Sequence, residues 1–247
     1  MALFDQQKSS SVKGLDLSRK GSIDDPIVEL TKFINDQENL FTLSSCSGRI
    51  VMLRESPMGE KIRKSGCEWI LVSHNSLGLN KVLDTFNGRS KSEGCVVLKF
   101  EPFVLHVQCR NISDAQNVHS VAINSGFRNS GLSVGKSGKI VAAVRSTHGL
   151  EVPLTDDNGR DLVNHEYIGH VLQKANDKLA ENLEKIIKFE NLLRKTLPKS
   201  VGTQIVIPEV STKAPYMRKN KKRFVDTGDK SANEDLEYLD SFIFPES

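Results

Sequence analysis

The chain has 247 residues, a formal net charge of +3, and 38% hydrophobic against 26% charged residues. That length suits one large domain or two small ones with a core that needs no metal or disulfide, and the composition excludes a wholly disordered chain and a membrane protein. Four cysteines, Cys46, Cys67, Cys95 and Cys109, are too few for a disulfide scaffold and show no CxxC spacing.

The start, MALFDQQKSS, lacks a basic segment followed by an apolar one, so no secretory signal is expected. The longest apolar runs, such as Ile140–Val144, are five residues, whereas a membrane span needs about 20. The expectation is a soluble, cytoplasmic protein in a reducing compartment, with no membrane partner. The mild net charge neither announces nor excludes a nucleic-acid partner.

Residues 1–23 are polar and read as an N-terminal extension. The first convincing helix opens at Asp25-Pro26, where Asp25 suits a cap and Pro26 the first helical position. Ile27, Leu30, Phe33 and Ile34 form its apolar stripe. Leu40 to Leu53 reads as strand, tight turn, strand, bent at Ser44-Ser45-Cys46-Ser47-Gly48-Arg49. A short buried strand over Trp69–Ser73, a short helix over Leu79–Phe86 and a strand over Cys95–Phe100 follow. Phe103 to Arg110 alternates: Phe103, Leu105, Val107 and Cys109 share one face, and Val104, His106, Gln108 and Arg110 the other. A helix from Ser113-Asp114 turns Ala115, Val118, Val121 and Ala122 inward and ends at Gly126. Lys139–Arg145 is a strand and Glu151–Leu154 extended chain. Asn164 to Leu197 is the longest helix, stopped by Pro198.

Strands and helices alternate without a strict βαβ repeat, which predicts an α+β or mixed α/β single domain over residues 24–198. From residue 199 a low-order tail is expected. Within it, Lys213, Arg218, Lys219, Lys221, Lys222 and Arg223 precede seven acids and one lysine between Asp226 and Glu246. The basic block reads either as an RNA contact or import signal, or as a solvated linker that the acidic block neutralises.

Two motifs fall short. Gly131-Leu132-Ser133-Val134-Gly135-Lys136-Ser137 is one residue shorter than a phosphate-binding GxxxxGK[ST] loop and reads as a turn between a helix and the next strand. In His165-Glu166-Tyr167-Ile168-Gly169-His170 the histidines are five apart, about 140° around a helix where a shared zinc needs about 40°. No GxGxxG follows a strand, so a Rossmann-type cofactor site is not expected.

Four segments combine small, flexible residues with a cation. Thr42 to Arg49 offers hydroxyls, backbone N–H groups and a guanidinium to an anion, or forms a hairpin whose serines satisfy their own backbone. Trp69, the only tryptophan, is a core anchor or a stacking platform, with His74 at the strand's end. His106, Gln108 and Arg110 share one strand face, followed by Ser125-Gly126-Phe127-Arg128-Asn129-Ser130-Gly131, which suits an aromatic and cationic loop tip. Val144 to Leu154 carries Arg145. Arg49, Arg110, Arg128 and Arg145 all lie in or beside turns, which points to an anionic ligand unless they pair with acids.

SSCSGRI at 44–50, WILVSH at 69–74, LKFEPFVLHVQCR at 98–110, SGFRNSG at 125–131 and VRSTHGLEVPL at 144–154 closely resemble the tRNA wybutosine-synthesizing protein 3 family in its eukaryotic form. The resemblance covers most of residues 15–190, and the final IFPES resembles family C-termini. The family pattern SxSSCxGR maps onto Thr42, Ser44, Ser45, Cys46, Gly48 and Arg49; Thr42 departs from serine but keeps the hydroxyl. The family's tryptophan maps onto Trp69.

The resemblance implies an S-adenosylmethionine-dependent methyltransferase with a non-Rossmann mixed α/β fold over residues 24–198. It methylates N4 of a demethylwyosine-type guanosine derivative at position 37 of phenylalanine tRNA, in wybutosine biosynthesis. The implied partners are that tRNA and other enzymes of the pathway, with no membrane and no metal. Ser44, Ser45, Arg49 and His74 are the expected catalytic set, the first three holding a carboxylate or phosphate and His74 accepting a proton. Thr42, Cys46, Gly48 and Trp69 are expected at the cofactor, with Trp69 stacking. Arg110, Arg128, Ser130 and Arg145 are expected at the RNA or the cofactor carboxylate. Cys46 needs no nucleophilic role in a direct methyl displacement. The rival readings are a non-catalytic tRNA-binding adaptor and a binder of small anions.

Overall fold

Three stretches of the chain, 40–54, 96–109 and 140–153, each run through one sheet, bend, and continue in a second. The computed structural model describes residues 3–13, 21–55 and 67–197, all within one compact unit, Met1–Pro198. The first sheet has the order β1 (Leu40–Cys46), β5 (Val104–Cys109), β7 (Ile140–Arg145), β6 (Gly131–Val134). The second has the order β3 (Glu68–Ser73), β2 (Arg49–Arg54), β4 (Val96–Glu101), β8 (Leu150–Pro153). All six strand pairings are antiparallel. The expected α+β architecture is therefore present, and a doubly wound parallel sheet is absent from the described residues.

The crossings lie side by side. Cys46 pairs with Val104, and Val104 with Arg145, at the end of the first sheet. Arg49 pairs with Glu101, and Phe100 with Leu150, at the start of the second. Ser47-Gly48 is thus not the tip of a hairpin. The sequence reading of strand, tight turn, strand has the right elements, but β1 and β2 pair with different neighbours.

A 3-10 turn at Asp25–Ile27 leads into α2 (Val28–Asp36). With α4 (Ile112–Asn124), α2 covers the inner face of the first sheet, where Leu40, Leu105, Val107 and Cys109 join the core. The side chain of Asn111 caps α4 by accepting from Asp114 N at 2.9 Å. In the second sheet, Ile50, Met52, Leu98 and Phe100 pack with Val82 and Phe86 of α3 (Leu79–Gly88). The 32-residue α5 (His165–Thr196), about 48 Å long, is shared by both cores. Its Ile168 to Leu179 stripe serves the second sheet, and Ile186, Phe189 and Leu193 serve the first.

Between those halves the apolar stripe is interrupted by Asn182, only 4% exposed. Its amide donates to Ser47 O and accepts from Phe103 N, both at 2.8 Å. It therefore satisfies backbone groups at two of the three crossings, which the bend takes out of either ladder. Gly48 makes the approach possible: it has φ +95°, and a Cβ there would lie 2.9 Å from Asn182 Nδ2 and 3.1 Å from Glu101 O.

Three further sequence expectations change. The polar N-terminal stretch contains a helix, α1 (Leu3–Lys13), which the sequence reading did not place. Phe4 packs edge-on against Phe41 at 5.2 Å, and Arg110 stacks over Phe4 while pairing with Asp5. Residues 131–134 form strand β6, so the lysine-bearing loop that follows is a hairpin turn into β7 rather than a helix–strand turn. Phe127, expected at a loop tip, is fully buried with Phe103 and Phe189 at centroid distances of 5.2 and 6.1 Å. His165 and His170 are exposed, as the spacing argument required. The expected low-order tail, 199–247, lies outside the described residues.

Asn182→Ala strands one buried carbonyl and one buried N–H, at roughly 1–3 kcal/mol each. Urea denaturation should show a loss of about 2–4 kcal/mol. Gly48→Ala should also destabilise, through left-handed strain of about 1–2 kcal/mol plus the contact with Asn182.

Candidate functional site

The first crossing gathers polar groups because β1 and β2 cannot bond to each other there. Ser47, itself buried, donates its N–H to Asp24 Oδ2 at 2.8 Å. Asp24 stands at the cap position of the 3-10 turn in extended backbone, 7% exposed, but its side chain makes no capping bond. Its other carboxylate oxygen lies 3.4 Å from Nε2 of His74, just past β3. Cys46 closes the group: one donor atom each from Asp24, Cys46 and His74 lie within 4.8 Å of one another.

Burial pushes the Cys46 thiol up, against a backbone hydrogen bond from Gly48 and the charge of Arg49 that pull it down. A protonated thiol is a poor nucleophile and a poor metal ligand. Among the described residues this is the one trio of side chains that could hold a metal ion. Its oxygen, sulfur and nitrogen set suits a zinc-like cation, although Asp24 already accepts from Ser47.

Arg49 opens β2 beside this trio. Its Nε donates to Glu101 Oε2 at 2.7 Å, and its guanidinium lies 4.8 Å from the Trp69 ring centroid. Register explains the first contact, since Arg49 pairs directly with Glu101 of β4. Trp69, on the edge strand β3, pairs with Leu53, so the second contact spans the distance along β2 through two long side chains. Trp69 is half-buried on that edge, not within a fully buried strand.

A second polar row crosses the first sheet. Leu43 bulges out of the β1–β5 register, because Thr42 pairs with Val107 but Ser44 with His106. Strand alternation then places Ser44, Cys46, Val104, His106 and Arg145 on one face, opposite the core. Ser44 Oγ is 2.9 Å from His106 Nδ1, and Arg145 Nη2 is 3.1 Å from His106 Nε2. Arginine only donates, so Nε2 must accept and Nδ1 must carry the proton. Burial, then the Arg145 charge, push the His106 pKa below its ordinary value.

The structure therefore brings together Ser44, Cys46, Arg49, His74 and Trp69 around one corner, and places Arg145 on the adjoining face. Ser45 shares the corner but alternates to the core side of β1, opposite Leu105. Gly48 is buried in the bend against Asn182. Thr42 lies down the strand, where its N–H and hydroxyl both donate to Asn35 of α2. Arg110 engages Asp5, Asn39 and Phe4, holding α1. Ser130 accepts from Arg145 N at 3.1 Å and donates to Phe127 O, so it ties the turn before β6 to β7. Arg128 is exposed on that turn. The polar face read along Val104 to Arg110 divides: Gln108 and Arg110 go under α1, and His106 remains at the site.

Sequence reasoning missed Asp24, Glu101 and Asn182 at this site, and singled out His106 only as part of a polar strand face with Gln108 and Arg110. The sequence reading gave the cap to Asp25, but Asp25 lies inside the 3-10 turn and the residue before it, Asp24, stands at the cap position with its carboxylate turned to Ser47. Glu101 and Asn182 stood in runs of ordinary helix and strand residues and carried no signal of their own.

Comparison with known proteins points to one family and one fold. The family described as Methyltransferase TYW3 matches residues 6–195. A Xenopus laevis protein named tRNA wybutosine-synthesizing protein 3 homolog is 46% identical over 239 residues, 96% of this chain and 94% of its own. A Pyrococcus horikoshii protein named tRNA(Phe) 7-((3-amino-3-carboxypropyl)-4-demethylwyosine(37)-N(4))-methyltransferase 1 is 31% identical over 189 residues, 76% of this chain and 93% of its own. The solved structure of PH1069 from Pyrococcus horikoshii superposes with a TM-score of 0.69 at 30% identity, over 77% of this chain and 96% of that one.

The neutral state of His106 has a measurable consequence. Between the ordinary histidine pKa of about 6.5 and its lowered native value, the unfolded chain binds the proton first. The stability that depends on neutral His106 is therefore complete above about pH 6.5 and falls as pH drops through that window. Melting temperatures of the wild type and His106→Gln, compared from pH 7.5 to 5, should show a shallower acid decline in the variant.

Proposed function

The chain belongs to the TYW3 methyltransferase family, and from that membership we propose that it transfers a methyl group from S-adenosylmethionine to N4 of a demethylwyosine-type base at position 37 of phenylalanine tRNA. The observation that carries this reading is the corner at Ser47-Gly48. There an acid–histidine pair, a thiol, a serine hydroxyl and an arginine–indole stack converge on a bend common to two sheets.

S-adenosylmethionine, when bound, supplies an electrophilic methyl group. The chain's residues fit such a ligand in kind: Trp69 offers an aromatic face, Arg49 and Arg145 cationic donors, and Ser44 an exposed hydroxyl. We place the cofactor against Cys46 to Arg49 and Trp69, with Thr42 and Gly48 shaping the strand and the bend behind it.

The ring nitrogen must lose a proton as it gains a methyl group. His74 is set up to take it. Its Nε2 lies 3.4 Å from the Asp24 carboxylate, an arrangement that leaves Nδ1 to accept the proton and lets the carboxylate stabilise the resulting imidazolium. Cys46, held as a thiol, lines the site without forming a covalent intermediate. The remaining contribution is positioning, which alone accounts for a large part of the barrier in bimolecular transfers. The exposed Arg128 beside β6 is a candidate phosphate contact for the tRNA. The four cysteines are free, as suits the cytoplasm, where other enzymes of the pathway would prepare and consume the base.

Incubation of the protein with S-adenosylmethionine and phenylalanine tRNA carrying the demethylated base should add one methylene to that nucleoside by mass spectrometry. Unchanged nucleoside mass would overturn the reading. Asp24→Asn should lower single-turnover methyl transfer by about 10²-fold or more, the scale of a general-base contribution, with S-adenosylmethionine affinity altered far less.

A further inference from the structure

We propose that Arg145, with Ser44 and His106, forms the receptor for the carboxylate of a 3-amino-3-carboxypropyl group. This rests on the substrate reading above and deepens it.

Arg145 differs from the other arginines of the described residues. Each of the others pairs with a carboxylate, apart from the exposed Arg128. Arg145 is half-buried on the sheet face, and its side chain bonds to the imidazole of His106, which accepts the bond in its uncharged form. A half-buried guanidinium beside a neutral acceptor keeps its charge and most of its N–H donors for a ligand.

The surroundings hold it in that state. Arg145 N donates to Ser130 Oγ, which fixes the backbone, and His106 fixes one end of the fork. On its other side His106 donates Nδ1–H to Ser44 Oγ. The exposed Ser44 hydroxyl has its oxygen occupied and its own hydrogen available to donate outward. One guanidinium and one hydroxyl, with no second cation in the row, match a planar anion of single charge.

The location ties the receptor to the reaction centre. Arg145 and Cys46 both pair with Val104, so two strand spacings, about 10 Å, separate their backbones on one face. Cys46 belongs to the Asp24–His74 cluster. Both reactants of the proposed transfer carry the required group. S-adenosylmethionine bears a 3-amino-3-carboxypropyl arm on sulfur, and the base named for the Pyrococcus relative bears one at its position 7. A site handling both needs two carboxylate receptors. Arg49 already shares its charge with Glu101, whereas Arg145 does not.

The test compares wild type, Arg145→Gln and Arg145→Lys, with melting curves to establish folding. S-adenosylmethionine affinity is measured by calorimetry. Affinity and single-turnover transfer are measured with two phenylalanine tRNAs, carrying the demethylwyosine base with and without the aminocarboxypropyl chain. A fall of about tenfold or more in preference for the chain-bearing tRNA in Arg145→Gln, smaller in Arg145→Lys, supports the proposal with the carboxylate on the substrate. A comparable fall in S-adenosylmethionine affinity supports it with the carboxylate on the cofactor. An unchanged preference together with unchanged cofactor affinity overturns it, including the case where both tRNAs weaken equally, as a phosphate contact requires. Failure of the wild type to methylate either tRNA would instead sink the substrate reading, while the binding comparisons still decide the receptor.

Discussion

A single buried amide holds together what two of the three bends would otherwise leave open. Asn182 stands where α5 passes from one core to the other, and its two hydrogen bonds go to backbone groups of the first and second crossings. A sheet that bends this sharply gives up ladder hydrogen bonds at the corner, and buried backbone polar groups without partners are costly. An apolar residue at position 182 would continue the helix stripe but satisfy neither group. The helix that packs both sheets therefore also closes the seam between them.

The site follows from that seam. Because Ser47 cannot pair within either sheet, its N–H is free to bind Asp24, and Asp24 is in turn brought to His74. The bend delivers Cys46 and Arg49, three residues apart along the chain, to the ends of different sheets. Cys46 then faces the acid–histidine pair while Arg49 reaches Glu101 and Trp69. Parallel α/β enzymes use strand ends and glycine-rich turns for a comparable purpose. Here antiparallel strands provide a corner instead, which accounts for the missing glycine fingerprint.

Charge is distributed more sharply than a net +3 conveys. Arg110 is spent on α1 and Arg49 is shared with Glu101, so four turn-borne arginines do not make one cationic patch. Arg145 retains its charge beside a histidine that burial keeps neutral. Proximity in sequence to turns marked all four. Which acids stood opposite them depended on strand register and on a terminal helix that carried little apolar signal of its own.

Much of the fold was legible because the periodicities were strong: the alternation over Phe103–Arg110, the stripes of α4 and α5, and the cap and stop residues that bound them. The hairpin reading of residues 40–53 failed because a two-residue bend looks the same in sequence whether the strands return to each other or join different sheets. Phe127 was misplaced because flanking glycines signal a turn without saying which way its aromatic points. By itself, the sequence determined the strands and helices, the absence of a Rossmann turn, the local motif from Thr42 to Arg49, and, through resemblance, the family. Only the tertiary structure decided that Asp24 and His74 meet at Cys46, that Arg110 serves α1, and that Arg145 faces Ser44 through His106. Local periodicity follows from near neighbours along the chain. These pairings join residues 22 to 105 positions apart, and they are set by sheet register and by the one amide that pins the bend.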